Sequence, residues 1–248
     1  MKISWCATIS KKDKRNIEPT INSIKNQSIK YDEIIITEGG NISQGRNKYL
    51  KKAEGDILAI FDGGCIYKKD YLKNILKIME EENADIVFGI VKPMIPKNKI
   101  QEFCVSRLAD YNNFTKEDWD NFIPSNRQVI FKRDIINKLG LLPEQLWRSD
   151  DTYWFQKAKE EGLKFAYCPG AVVYWEMKSS LKSYLKSVYN DTKCDRQFGI
   201  KPFGASKRKK RDTSFSGLVF FFLAGVTKVM GIISGKINKK EELKWKKH

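Results

Sequence analysis

The chain has 248 residues, of which 41% are hydrophobic and 12% aromatic, and its formal net charge is +16. These proportions are typical of a folded protein with a sizeable core and argue against a largely disordered chain. One histidine, and five cysteines without a CxxC pair, exclude the usual Cys/His zinc sites and favour reduced thiols in the cytosol.

Strands and helices alternate along the first part of the chain. Strands separated by helices of this length predict an α/β fold built from parallel βαβ units, and continuous apolar runs predict a sheet covered on both faces. The predicted strands are ISWCATIS (3–10), EIIIT (33–37), DILAIF (56–61) and ADIVFGIV (84–91).

Three helices are predicted to connect these strands. The first is indicated by Ile17, Ile21 and Ile24, which recur at helical spacing. The second is expected to be capped by Ser43, and the third to begin after Asp70.

The second part of the chain is less regular at first. Three prolines in or next to residues 92–123 predict a loop and helix insertion. A strand, a helix and a turn are predicted over 127–144, and a helix capped by Ser149 or Asp150 follows. We expect two short strands around a Pro-Gly turn over 164–175 and a final helix over 179–192.

The positive charge is concentrated at the carboxyl-terminal end. Residues 201–248 contain thirteen lysines and arginines against three acids, which gives +10 of the total +16. Within this basic tail, residues 215–235 are apolar, but Lys228 costs roughly 2.5–3.5 kcal/mol at a bilayer centre. A membrane span, a helical hairpin, an in-plane anchor and a helix packed on the domain remain open, and the flanking cations favour an anionic membrane surface.

The stretch GDILAIFDGGCIY contains the first candidate site. Its apolar strand runs directly into Asp62, and two glycines follow. Ligands of parallel sheets bind beyond the carboxyl ends of the strands, and glycine lets a ligand approach the backbone closely. Asp62 is therefore a candidate for contact with an approaching ligand, and the alternative is a simple turn residue.

Four pieces of the chain, quoted at the end of this paragraph, resemble glycosyltransferase family 2 in their order. The resemblance covers roughly residues 1–200. It implies the GT-A fold, with a Rossmann-like nucleotide-sugar-binding half over 1–91, an acceptor-binding half over 92–200 and a membrane-associating tail over 201–248. The pieces are PTINSIKNQSIKYDEIIITEGG, SQGRNKYLKKAEGDILAIFDGGC, SNRQVIFKRDIINKLGLLPEQLWRSDDTYWFQKAKEEGLKFAYCPGAVVYW and SLKSYLKSVYNDTKCDRQFG.

The resemblance assigns a donor site. It is strongest to members whose metal motif reads Asp-Ala-Gly-Cys, so Asp62 would bind Mg²⁺ or Mn²⁺ together with the donor's diphosphate, although the second acid of the commoner Asp-x-Asp motif is missing. For Arg46, the alternative is a surface ion pair on its helix. The residues implied in donor binding are Thr8, Glu38, Arg46, Asn47, Asp62, Gly63 and Arg127.

The resemblance also assigns a catalytic base. The SDD segment stands where the family has a Glu-Asp pair, which makes Asp151 the base and Asp150 its neighbour. An inverting transfer needs a carboxylate that accepts the proton of the acceptor hydroxyl, and a helix N-terminus favours its ionised form. The alternative is that both acids merely cap the helix.

These features together predict an enzyme, a glycosyltransferase that uses a nucleotide-diphosphate sugar. Its acceptor would be a sugar or a lipid-linked glycan, at the cytoplasmic face of the cell membrane, in polysaccharide or glycolipid assembly. Two alternatives stay open: a non-catalytic basic protein that binds anionic membranes or nucleic acid, and a degenerate transferase that only binds nucleotide-sugar. The sequence contains no nucleic-acid-binding motif, which disfavours a nucleic-acid partner.

Overall fold

The computed structural model describes residues 1–9, 17–108, 111, 114–200 and 215–237. The predicted basic linker before the apolar segment and the terminal basic run lie outside these residues. The described chain divides into two compact units, one of residues 1–92 and 123–175 and the other of residues 93–122 and 176–237.

A seven-stranded sheet organises the first unit, with the strand order β2-β1-β3-β6-β5-β7-β4. β1 pairs in parallel with β2 and β3, as the alternating pattern predicts, whereas β6 lies antiparallel between β3 and β5. The strands are β1 (Ile3–Thr8), β2 (Glu33–Thr37), β3 (Ile57–Ile60), β4 (Cys65–Tyr67), β5 (Ile86–Pro93), β6 (Val129–Lys132) and β7 (Phe165–Trp175).

The prediction of two short strands around a Pro-Gly turn is wrong, because β7 is one continuous strand of 11 residues. It lies beside β5 and also pairs antiparallel with β4, which the sequence analysis did not predict. Pro169 and Gly170 are exposed within β7, and Asn74 donates a hydrogen bond of 2.9 Å to the Gly170 carbonyl. The pairing with β4 involves only Val173, Tyr174 and Trp175, so Pro169, which has no N–H to donate, lies outside it.

Among the described residues, five helices belong to the first unit and four to the second. A short 3-10 helix, Asn126–Gln128, precedes β6 in the first unit. The helices of the first unit are α1 (Glu18–Lys25), α2 (Ile42–Lys52), α3 (Tyr71–Glu81), α6 (Ile135–Leu139) and α7 (Asp150–Glu160). Those of the second unit are α4 (Lys99–Ser106), α5 (Lys116–Asn121), α8 (Leu181–Phe198) and α9 (Phe215–Ile237).

The helix starts differ from the predicted caps in their chemistry. The prediction that Ser43 caps α2 is wrong, since Asn41 accepts a hydrogen bond of 2.9 Å from the Gln44 N–H while Ser43 is buried in the first turn. Asp70 does precede α3, but its side chain makes no capping bond. Ser149 precedes α7 with a positive φ of 54° and also makes no side-chain cap.

An aromatic cluster in the core joins β1, the residue after β3, β4 and the start of α3. The rings of Trp5 and Tyr67 lie 4.9 Å apart, those of Tyr67 and Tyr71 also 4.9 Å, and those of Trp5 and Phe61 6.2 Å, in edge-to-face arrangements. Such contacts add about 0.5–1.5 kcal/mol each to the burial of the rings. The cluster therefore fixes the backbone on both sides of Asp62, because Phe61 precedes this residue and Tyr67 follows it.

In the second unit, α8 and α9 pack closely through small residues. A Cβ atom added at Gly231 would lie 2.8 Å from the Tyr189 carbonyl oxygen, and one at Gly235 only 2.6 Å from that of Lys193. Tyr189 and Ser234 are joined by a hydroxyl hydrogen bond of 2.9 Å. The apolar segment is thus one uninterrupted helix rather than a hairpin, and one face of it packs on α8.

The opposite face of α9 is exposed and apolar. Residues Ser216–Ile237 are long and apolar enough to cross a membrane, with a mean hydropathy of 1.9, and 11% of this stretch is buried. The exposed large side chains of this helix are Leu218, Val219, Phe221, Phe222, Val226, Val229, Met230, Ile233 and Ile237.

Candidate active site

Asp62 lies immediately beyond the carboxyl end of β3. The preceding residue, Phe61, is buried and its N–H donates to the Cys6 carbonyl of β1, which anchors the strand end. The Asp62 side chain is 29% exposed. Gly63 has open space where a Cβ would stand, and Gly64 has a φ of +79°, which favours glycine. A partly exposed carboxylate therefore stands beside open backbone.

Arg46 is the buried centre of the site. It lies on α2 with a residue exposure of 5%, which contradicts the alternative of a surface ion pair. Its guanidinium makes a short hydrogen-bonded ion pair with Asp150, and its Nη2 lies 3.7 Å from Asp62 Oδ1. Burial lowers the pKa of Arg46, but the carboxylates of Asp150, Asp62 and Asp151 together raise it by more than burial lowers it. The net pKa is therefore raised, and the side chain stays charged.

Asn126 supports the same guanidinium from the 3-10 helix. With its amide oxygen turned toward Arg46, the side chain accepts from both terminal nitrogens of the guanidinium. The Asn126 N–H lies 3.4 Å from Asp151 Oδ2, to which it donates. Asn126 therefore links the buried arginine to the second carboxylate, a role that the sequence analysis did not anticipate.

The two acids at the start of α7 have different surroundings. Asp150 is 2% exposed, and its carboxylate forms an ion pair with Arg46. Burial is the larger effect and raises the pKa of the Asp150 carboxyl above its ordinary value, although the charge and hydrogen bond of Arg46 oppose this rise. Asp151 is only half-buried, and its Oδ1 accepts a bond of 2.9 Å from the Thr152 N–H. Asp151 thus contacts its own helix start and keeps access to solvent.

Arg127 approaches Asp62 from the other side. Its Nε lies 3.5 Å from Asp62 Oδ2, and its guanidinium lies over the Trp175 ring, 3.8 Å from the centroid. Tyr67 donates a hydrogen bond of 2.8 Å to the Arg127 carbonyl. Neither Tyr67 nor Trp175 was assigned a functional role from the sequence.

Three charged residues of the site, Arg46, Asp150 and Asp151, line a small cavity in the first unit, whereas Asp62 and Arg127 are not among its lining residues. Asp62 lies beside Arg46 and Arg127. Asp151 accepts from the N–H of Asn126, the neighbour of Arg127 in the chain, and its negative charge contributes to raising the pKa of both arginines. The strand-end acid and the helix acid therefore belong to the same charged cluster. The cavity is lined by Arg46, Tyr49, Leu50, Asn126, Phe131, Leu142, Asp150, Asp151 and Trp154.

The remaining candidate donor-binding residues have other visible contacts. The Thr8 hydroxyl lies 3.0 Å from that of Thr37, and the Glu38 carbonyl accepts from Lys48 Nζ at 2.6 Å. Asn47 is buried, and its amide exchanges hydrogen bonds of 2.8 and 2.9 Å with the Leu142 backbone. The Asn47 side chain therefore ties α2 to the loop before α7, and this contact leaves little of it for a ligand.

The protein groups around Asp62 indicate how a divalent ion would be coordinated there. Within the part of the chain that the structure describes, no group of three or more His, Cys, Asp or Glu side chains is gathered for a metal. Asp62 is nevertheless partly exposed, and its contacts to both arginines are 3.5 Å or longer. A single carboxylate suits an ion that takes its other ligands from donor phosphates and water, so the residues fit a shared metal but not a pre-formed metal site.

The buried pair gives a stability prediction. Asp150→Ala leaves Arg46 buried without its main partner and should lower the free energy of unfolding by about 3–5 kcal/mol. The double variant Arg46→Met with Asp150→Leu removes both charges and should recover a large part of that loss. Urea unfolding followed by circular dichroism measures both values. Losses that simply add in the double variant would contradict the coupling.

Comparisons with known proteins show similarity to glycosyltransferases. Residues 37–140 match the model of the family described as "Glycosyl transferase family 2". The "Glycosyltransferase AglE" of Haloferax volcanii is 23% identical over 128 residues, which are 49% of this chain and 40% of that protein. The chain thus spans well under half the length of this curated relative.

Solved structures share the fold at low sequence identity. A mannosyltransferase from Pyrobaculum calidifontis, PcManGT, in complex with GDP-Man and Mn²⁺, superposes with a TM-score of 0.61 at 13% identity, covering 96% of this chain and 73% of that one. S. aureus TarS 1–349 with UDP-GlcNAc gives 0.56 at 13% identity, covering 94% and 82%. S. aureus TarS 1–349 with UDP gives 0.53 at 15% identity, covering 76% and 64%. The expected GT-A fold is confirmed, and the match over residues 37–140 supports glycosyl transferase family 2.

Proposed function

We propose that the chain is an inverting glycosyltransferase that moves a sugar from a nucleotide-diphosphate donor to an acceptor hydroxyl. The observation that supports this most directly is the shared cluster of Asp62 and Asp151 around Arg46 and Arg127. One acid lies at the end of a central strand, where nucleotide ligands of such sheets bind, and the other lies half-buried at a helix start. The relatives named above, which bind UDP, UDP-GlcNAc or GDP-Man, give further support.

In the proposed reaction, Asp151 accepts the proton of the acceptor hydroxyl while its oxygen attacks the anomeric carbon. The bond between that carbon and the phosphate oxygen breaks, and its electron pair leaves with the diphosphate. Arg46 and Arg127 compensate the growing negative charge. Their charges are already fixed by neighbouring carboxylates, so little reorganisation is needed at the moment of transfer.

Asp150 has a supporting part in this proposal. Its carboxylate is buried and occupied by Arg46, so it is poorly placed to accept a proton from a substrate. We assign it the role of holding Arg46 in position and keeping the guanidinium charged. This separates the two acids of the SDD segment into a positioning group, Asp150, and a base, Asp151.

A divalent ion, Mg²⁺ or Mn²⁺, would bind Asp62 together with the donor. When bound, it would supply positive charge at the diphosphate. Gly63 and Gly64 leave room there because neither brings a side chain. A GT-A relative in complex with Mn²⁺ and GDP-Man supports this part of the proposal.

Membrane association accounts for the exposed apolar face of α9. Basic segments flank this helix in the sequence, as KRKKR (207–211) and KINKK (236–240). Apolar side chains with neighbouring cations bind anionic lipid surfaces through burial and charge together. The proposed enzyme would therefore work at the cytoplasmic face of a membrane on a sugar or lipid-linked glycan, in polysaccharide assembly.

The base assignment predicts a selective loss of activity. Asp151→Asn cannot accept a proton and should lower the rate of donor hydrolysis about 100- to 10,000-fold while nucleotide-diphosphate affinity is kept. The donor is first chosen by a thermal-shift screen of UDP- and GDP-sugars, and released nucleotide is then measured. Asp70→Asn, an acid at another helix start, is the matched control and should keep the native rate.

An unchanged rate in Asp151→Asn would exclude this residue as the base. If the native chain binds a nucleotide-sugar but neither hydrolyses it nor transfers it to membrane lipids, the chain is a degenerate transferase. If it binds no nucleotide diphosphate, the proposed function is wrong.

The shared metal site predicts metal-dependent binding. Mn²⁺ should tighten the binding of UDP or GDP several-fold in isothermal titration calorimetry, because Asp62 and the phosphates bind the ion together. Asp62→Asn should abolish this gain without changing the melting temperature much. A gain that persists in Asp62→Asn would place the ion elsewhere.

The exposed face of α9 predicts lipid binding. The full chain should co-sediment with vesicles that contain anionic phosphatidylglycerol, and binding should weaken with salt. The triple variant Phe222→Ser, Met230→Ser and Ile233→Ser should lose most of this binding. Ile95→Ser, which replaces an apolar side chain that is 88% exposed outside α9, is the control. Equal binding by both variants would contradict a membrane role of this face.

A further inference from the structure

The guanidinium of Arg127 is held against an aromatic face. It lies 3.8 Å from the centroid of the Trp175 ring, well within the range of a strong cation–π contact. Trp175 ends β7 and pairs directly with Cys65, the first residue of β4. Only Gly63 and Gly64 separate Cys65 from Asp62. The Trp175 ring is therefore tied by strand pairing to the loop that carries the strand-end acid.

The backbone of Arg127 is also held in place. The Tyr67 hydroxyl donates to the Arg127 carbonyl at 2.8 Å, and Tyr67 itself is buried in the aromatic cluster between Trp5 and Tyr71. Burial raises the pKa of Tyr67 well above its ordinary value, so the phenol keeps its proton and remains a donor. Arg127 is thus fixed at its main chain by β4 and at its guanidinium by β7.

The donor groups of Arg127 are nevertheless not used up. Its Nε is buried and, among the described residues, has no hydrogen-bond partner, since Asp62 Oδ2 is 3.5 Å away without hydrogen-bond geometry. A buried N–H without a partner carries a free-energy cost that an anionic oxygen would relieve. Stacking uses the face of the guanidinium and leaves the N–H groups on its edge available.

We propose that Trp175 is a positioning residue that holds Arg127 face-on, so that the guanidinium edge binds the donor's diphosphate beside Asp62. This rests on the proposed function and adds a specific residue to it. A flexible arginine loses rotamer entropy when it binds a phosphate, and a stacked one has lost much of it already. Trp175 then acts on diphosphate binding through Arg127, without touching the nucleoside.

The proposal is tested by titration calorimetry on the full chain with UDP or GDP, whichever binds the native protein more tightly, and with the matching nucleoside. Trp175→Leu should weaken diphosphate binding about tenfold and leave nucleoside binding unchanged. Trp175→Phe keeps an aromatic face and should restore most of the affinity. Trp175→Met keeps apolar bulk without an aromatic face and should behave like Trp175→Leu, which covers the case that the leucine variant folds poorly.

The effect of Trp175→Leu is also measured in a variant that lacks the guanidinium, Arg127→Met. This variant should weaken diphosphate binding as much as Trp175→Leu does, and adding Trp175→Leu to it should change nothing further. A purely structural role of Trp175 would instead weaken nucleoside and diphosphate binding alike, and would persist without Arg127. That result, or native diphosphate affinity in Trp175→Leu and Trp175→Met, would overturn the proposal while leaving the proposed function intact. A native chain that binds no nucleotide diphosphate would overturn both.

Discussion

A buried guanidinium that must remain paired organises the site. Arg46 lies inside the protein, where an uncompensated charge costs several kcal/mol, so carboxylates must come to it. The strand end provides Asp62 and the start of α7 provides Asp150. Segments far apart in the chain are therefore held together by one charge, and the less buried Asp151 is carried along with its neighbour.

This arrangement separates the structural and the chemical demands on the acids. Asp150 neutralises Arg46 and is withdrawn from solvent, whereas Asp62 and Asp151 keep some exposure and looser contacts. The three carboxylates and two arginines leave a single negative charge in the cluster. Because the positive and negative charges of this cluster nearly cancel, an anionic ligand that binds together with a cation changes the local charge little. The same holds when a single oxygen of the ligand binds beside an arginine.

The sequence predicted local features well and distant contacts poorly. β2 was predicted at its observed bounds because EIIIT is short, β-branched and apolar. Asp62 was found because a buried strand ends on it. Asn41 was missed as the cap of α2, since Ser43 and Asn41 are both good capping residues and only the backbone conformation chooses between them.

The missed partners of the site depend on tertiary pairing. β4 has three residues and no recognisable pattern, so its pairing with β7 could not be predicted. Trp175 lies in the part of β7 that pairs with β4, and its ring contacts Arg127. Asn47 was interpreted as a ligand contact, although its amide exchanges hydrogen bonds with the Leu142 backbone. Short sequence motifs identified the candidate site, but the tertiary contacts determine which of its side chains remain available for a ligand.

The glycine contacts between α8 and α9 have a consequence for orientation. Gly231 and Gly235 bring α9 so near to α8 that larger side chains at these positions would meet carbonyl oxygens of α8. Rotation of α9 about its own axis is thereby restricted by steric exclusion. The side of α9 on which its exposed apolar side chains lie is therefore set by packing against α8 and does not require a bilayer.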